Sequence, residues 1–198
     1  ISYRLVGSEM CIRDSKDKGI NVLKNLGGVG QRLMDHPSIN IASFIKPEAR
    51  INEYSRRHLL VGMRYSSGLK NIPKGDMYVA VCSKTAWHSI GDQLAAFILF
   101  VNRTYSETGQ VRLSTTDPYD EPIVEFNLLS DERDLIRLME GFRKMVLIQQ
   151  TEPFQRISKE VFAAVYGDKV RQVGKVNLQN KLLTKVFSKM LDGPDALR

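Results

Sequence analysis

Hydrophobic and polar positions follow two different periods along this chain, and the change of period separates a strand-rich stretch from a helical one. Ser38-Ile39-Asn40-Ile41-Ala42-Ser43-Phe44-Ile45 alternates and reads as a strand. Met77 to Ser83 and Leu94 to Asn102 are continuous apolar runs bounded by turn residues, which suits central strands. Gln110 to Ser114 and Ile123 to Phe126 complete five expected strands with no long helix between them. Such an order favours an antiparallel or mixed sheet over a doubly wound one. Residues 53–65 place Tyr54, His58, Val61 and Tyr65 at helical spacing, so a short helix is expected there.

A longer helix is expected over about 131–150. Ser130 is a plausible N-cap, and Asp131, Glu132 and Asp134 lie at the positive end of its dipole. Leu135, Leu138, Met139, Phe142, Met145, Val146 and Gln149 trace one face, and Pro153 ends the helix. The fold class is therefore α+β, a largely antiparallel or mixed sheet covered by helices, with all five strands expected in one sheet under the helix of 131–150. No internal repeat or low-complexity stretch interrupts the pattern.

Composition changes this picture little. Apolar residues make up 42% of the 198, enough for one sizeable core. The longest apolar run, Leu94 to Val101, has 8 residues, far short of the ~20 that a membrane-spanning helix needs. Beyond Cys11, Cys82 is the only cysteine, and it reads as a small apolar core residue of a protein in a reducing, cytoplasmic compartment. A net charge of +7 raises the alternative of a basic module for nucleic acid or an anionic surface. The charge is scattered, however, and is densest between Lys159 and Lys189, where it alternates with Val and Leu as on a solvated helix face. Clustered Arg and Lys with interleaved aromatics are lacking, so no nucleic-acid partner is expected.

Candidate chemistry is sparse. Three histidines and a lone core cysteine do not make a metal site, and neither Gly-x-Ser-x-Gly nor a Walker loop is present. The acidic group Asp117, Asp120 and Glu121 lies in a Pro-containing turn, where solvation explains it.

Two blocks carry more. The first is Gly27-Gly28-Val29-Gly30-Gln31-Arg32-Leu33-Met34-Asp35-His36-Pro37. The second runs Gly109-Gln110-Val111-Arg112-Leu113-Ser114, then Asp117-Pro118, Glu121-Pro122-Ile123-Val124, Phe126-Asn127 and Leu129-Ser130-Asp131. In order and spacing they resemble the glucose-methanol-choline (GMC) family of FAD-dependent alcohol oxidoreductases, over about residues 17–155. Arg32 departs from the Asn usual in that family.

The resemblance implies FAD as cofactor, with Gly28, Val29, Gly30, Asp35 and His36 beside it. It implies a small-molecule alcohol or choline-like donor, with Trp87 and His88 as candidates for shaping the substrate cavity. It also implies that residues 16–37 are a remnant of the FAD-binding domain and that 38–198 are the substrate-binding domain, incomplete at its C-terminus. The family's Rossmann-type Gly-x-Gly-x-x-Gly turn and its catalytic His in a His-x-x-Gly-Thr-like segment are both missing from the sequence. No catalytic residue is therefore assigned, and the chain is expected to be an internal fragment. Leu5 to Ser15 reads as the in-frame translation of a sequencing adapter, so residues 1–15 are expected to be non-native.

Overall fold

A computed structural model describes residues 14–51 and 57–193. Strands β1 (Gln31–Leu33), β2 (Ser38–Ile45), β3 (Leu59–Tyr65), β4 (Met77–Cys82), β5 (Leu94–Val101), β6 (Gly109–Arg112) and β7 (Ile123–Glu125) precede helix α1 (Glu132–Gln149). Helix α2 (Glu152–Ile157), strand β8 (Ser158–Ala164), and helices α3 (Asp168–Gly174) and α4 (Leu178–Leu191) follow. The strands form two sheets, ordered β1-β6-β7 and β3-β4-β5-β2-β8. Every ladder in them is antiparallel. The class is α+β, as the alternation and the absence of βαβ spacing indicate.

By chain contacts the molecule divides into two units. The first holds residues 1–37 and 103–136, and the second holds 38–102 and 137–198. The expectation of a single sheet is corrected by this division. The strands at 109–112 and 123–125 pair with each other and with β1, while those at 38–45, 77–82 and 94–101 belong to the larger sheet. Periodicity marks which residues are strands but carries no information on partners, which non-local pairing decides.

The larger sheet has an apolar interior. Ile41, Met77, Val79, Leu99 and Val101 have no exposed surface, and Cys82 is buried with Ala42 and Ala96. Two of its strands differ from expectation. Residues 59–65 form β3, paired along the full length of β4, where the spacing of residues 53–65 suggested a helix; residues 52–56 lie outside the described residues. Val61, Met63 and Tyr65 also alternate with period two, and Gly62 within a helix would cost ~1 kcal/mol. The other strand, β8, falls in the basic region read as a helix face. It is an edge strand with Lys159 and Glu160 exposed, a common way of keeping an edge from pairing further.

Helix α1 starts where expected, but its cap is Asp131 and not Ser130: the Arg133 N–H donates to Asp131 Oδ1 at 2.9 Å. Its buried face is also turned from the apolar stripe. Asp134, Arg137, Leu138, Gly141, Met145 and Gln149 are buried, whereas Leu135 and Met139 are exposed and Phe142 and Val146 half-buried. Polar residues sit on the buried face because each is satisfied there. Arg137 Nη1 donates to Asp76 at 3.2 Å, and Asp76 also accepts from the Ser67 N–H at 2.8 Å. Gln149 accepts from the Ser43 hydroxyl. Gly141 gives the close approach to the sheet, since a Cβ there would lie 2.6 Å from the Tyr65 hydroxyl and 2.8 Å from a Leu99 methyl. The helix ends at Gln149, and Pro153 lies in the first turn of α2.

Candidate functional site

The glycine block of the sequence is an exposed turn that runs into β1. Gly30 has φ +69°, in the left-handed region, and Arg32 follows at φ +55°. Gly28 is exposed, and a Cβ added to it would meet nothing within 4 Å. The His36 N–H donates to Asp35 Oδ1 at 2.7 Å, which closes the Asp-His turn before the buried Pro37.

β1 pairs with β6 through Gln31 opposite Gln110 and Leu33 opposite Gly109. Two blocks separated by about 80 residues in sequence thus become neighbours in one small sheet. Gly109 permits the contact, because a Cβ there would lie 2.3 Å from the Leu33 carbonyl oxygen. Against this sheet lies an open cleft of about 660 Å³ lined by Val29 to Met34, Val111 to Leu113, Pro122, Asp14 and Ser15. The Leu113 N–H donates to Asp14 at 2.8 Å in the same place. Residues 1–13 of the segment read as non-native lie outside the described residues.

Of the five residues assigned beside FAD, Val29 and Gly30 line the cleft, and Gly28, Asp35 and His36 flank it in sequence. Leu33, Met34, Val111, Leu113 and Pro122 were not singled out from the sequence, although all five lie inside the two family-like blocks. Alternation marks them only as strand residues, and their convergence depends on the β1–β6 pairing. A wall of this kind fits a large, mostly apolar group. Its lining combines Val29, Leu33, Met34, Val111, Leu113 and Pro122 with the polar Gln31, Arg32 and Arg112, and a Cβ added to the neighbouring Gly28 would meet nothing within 4 Å.

In the same unit, loop 104–106 is fastened to the start of α1 by the fully buried Asp134. This carboxylate accepts from the Thr104 hydroxyl, the Tyr105 N–H at 3.0 Å, the Ser106 N–H at 2.9 Å and the Ser106 hydroxyl at 2.7 Å. Burial alone would raise its pKa, but the hydroxyl and backbone donors outweigh that and hold it below the usual value. Such a network organises the loop and holds no exchangeable proton at neutral pH.

Trp87 and His88 belong to the second unit, in the loop from β4 to β5. Trp87 Nε1 donates to the Gly174 carbonyl at 2.7 Å, and the two rings meet edge to face with centroids 5.6 Å apart. His88 Nδ1 accepts from the Gly91 N–H at 3.3 Å. Burial lowers the His88 pKa, with Asp92 opposing, so the ring is neutral at pH 7 and carries its proton on Nε2. Among the described residues no group of His, Cys, Asp and Glu could hold a metal ion, and no helix is long and apolar enough to cross a membrane.

Residues 104–186 match the family model described as GMC oxidoreductase. The 5-(hydroxymethyl)furfural oxidase of Methylovorus sp. (strain MP688) is 36% identical over 129 residues, 63% of this chain and 23% of that protein. Two structures of formate oxidase, one from a study of FAD modification in the Aspergillus oryzae RIB40 enzyme, superpose with TM-scores of 0.63 and 0.62 at 18% and 19% identity. They cover 81% and 80% of this chain and 37% of each of theirs. Pyridoxine 4-oxidase from Mesorbium loti gives 0.61 at 12% identity, covering 80% of this chain and 32% of that one. The matched segment makes this chain similar to GMC oxidoreductases, the curated relative is similar over much of the chain, and the superpositions show the fold it shares with the formate oxidases. It spans about a quarter of the length of the curated relative it matches.

Proposed function

We propose that this chain is part of an FAD-dependent oxidoreductase that oxidises the CH–OH group of a small alcohol. The supporting observation is the β1–β6 pairing, which joins the glycine block to the Gly109–Leu113 block and creates the apolar cleft beside them. Flavin, when bound, supplies the hydride-accepting chemistry, and the protein supplies orientation and a dry surface. Val29, Leu33 and Met34 would exclude water from one side of the cofactor, and Gly28 would let it approach the backbone. In this reading residues 16–37 form part of the flavin wall, and the substrate domain begins at Ser38. Trp87 and the neutral His88 would shape the alcohol cavity, with His88 Nε2 available as a hydrogen-bond donor. The base that accepts the alcohol proton is assigned to a His-x-x-Gly-Thr-like segment outside these 198 residues.

The test is spectroscopic. A full-length protein purified from the parent gene should show flavin absorbance near the visible maximum and be bleached by a small alcohol under anaerobic conditions. The 198-residue chain should not retain flavin through gel filtration. A colourless full-length protein, or micromolar FAD binding by the isolated chain, would sink the reading.

A further inference from the structure

Helix α4 is inside out by the ordinary standard of an amphipathic helix. Its buried positions are Thr184 and Ser188, whose hydroxyls bond back to the Asn180 and Lys185 carbonyls of the same helix. The helix is nevertheless firmly seated. The buried Gln93 donates to the Ser188 carbonyl at 2.7 Å, and Arg50 forms a two-pronged ion pair with Asp192. Asn177 caps the start, its side chain accepting from the Asn180 N–H at 2.7 Å.

The opposite side carries Leu178, Leu182, Leu183, Val186, Phe187 and Met190, all exposed; Leu182 and Val186, near its middle, keep 58% and 60% of their surface. At 100° per residue these side chains span an arc of about 180°. Lys181, Lys185 and Lys189 repeat every fourth residue along one border of that arc only, and α4 holds no acidic residue. An apolar band of this width on a helix is a docking face more often than a solvated one.

We infer that this face is the seat of a second amphipathic helix with an apolar stripe and an acidic flank, carried by the same polypeptide in the full-length enzyme. Two observations select that occupant. A row of three lysines on one border matches acidic side chains along one flank of a helix, whereas an antiparallel second copy of α4 would bring like charges together. Moreover, this chain overlaps only 32% to 38% of the solved structures of this fold, so covering material is at hand in proteins of that kind. The inference rests on the reading that the chain is part of a larger enzyme.

Hydroxyl-radical footprinting compares the 198-residue chain with the full-length protein and reads oxidation at Phe187 and Met190. Met145, which is 1% exposed, and Tyr119, which is 94% exposed, provide the protected and free references. Oxidation of Phe187 and Met190 should fall about tenfold in the full-length protein, as for a side chain passing from surface to interior. Lys185→Glu in that protein should restore part of it by placing like charges across the interface. Unchanged oxidation in a full-length protein that does hold flavin would overturn this inference and leave the functional reading standing. Two outcomes with the 198-residue chain would also overturn it, by assigning the face to another occupant. One is concentration-dependent dimerisation in sedimentation that Val186→Glu abolishes. The other is protection of Met190 on adding phosphatidylglycerol vesicles.

Discussion

The two sheets solve different problems. In the five-stranded sheet, β4, β5 and β2 lie between other strands, and Ile41, Met77, Val79, Leu99 and Val101 are sealed. In the three-stranded sheet every residue of β7 is exposed, and the cleft-lining Val29, Met34 and Leu113 remain open. A sheet that buries its apolar residues is held by them. The small sheet leaves apolar side chains at the surface and is held by other means: the left-handed turn at Gly30, the close contact at Gly109 and the Asp134 network. Its apolar residues are thereby left at the surface, where they line the open cleft.

Mutations should separate the two regimes. The largest effect is expected for Leu99→Ala, which empties a fully buried site beneath α1 and should cost about 3 kcal/mol in chemical denaturation. A loss under 1 kcal/mol would mean that the large sheet is not the stabilising core.

Asp134→Asn comes next, at about 2 kcal/mol, because one carboxylate serves four donors in the small unit. The folded-state pKa of Asp134 is depressed, so its contribution is present above the unfolded value of 3.8 and is lost as pH falls through the lower folded value. The gap between native and variant should therefore be constant near neutrality and narrow below about pH 4. A pH-independent gap would show that charge is not what Asp134 contributes.

The two glycines should part company. Gly30→Ala forces a side chain into the left-handed region and should cost about 1 kcal/mol. Gly28→Ala should leave stability unchanged, since its Cβ meets nothing within the protein. In the full-length protein the same Gly28→Ala change should lower flavin retention, and an unaffected flavin content would remove Gly28 from the cofactor wall. The smallest effect is expected for Val124→Ala in β7, within about 0.5 kcal/mol by thermal melting. A larger loss would show that the small sheet also depends on apolar burial.

Local pattern sufficed for part of this architecture. Alternation at 38–45, apolar runs at 77–82 and 94–101, and the acidic start of α1 all act within one element, where side-chain period and dipole operate directly. The two family-like blocks were likewise legible as residues. Residues 59–65 were not, because Val61 and Tyr65 satisfy both periods over so short a span and the β4 partner decides between them. The buried face of α1 was hidden for a related reason. Asp134, Arg137 and Gln149 look like surface residues until Ser106, Asp76 and Ser43 supply their partners, all from distant parts of the chain. The cleft residues Leu33, Val111 and Pro122 converge only through the β1–β6 register and the division into two sheets. The sequence by itself determined the strands at 38–45, 77–82 and 94–101, the long helix and the resemblance to a known family. Only the tertiary structure decided which elements pair and which faces are buried, because hydrogen-bond partners and packing neighbours are set by contacts that no local period encodes.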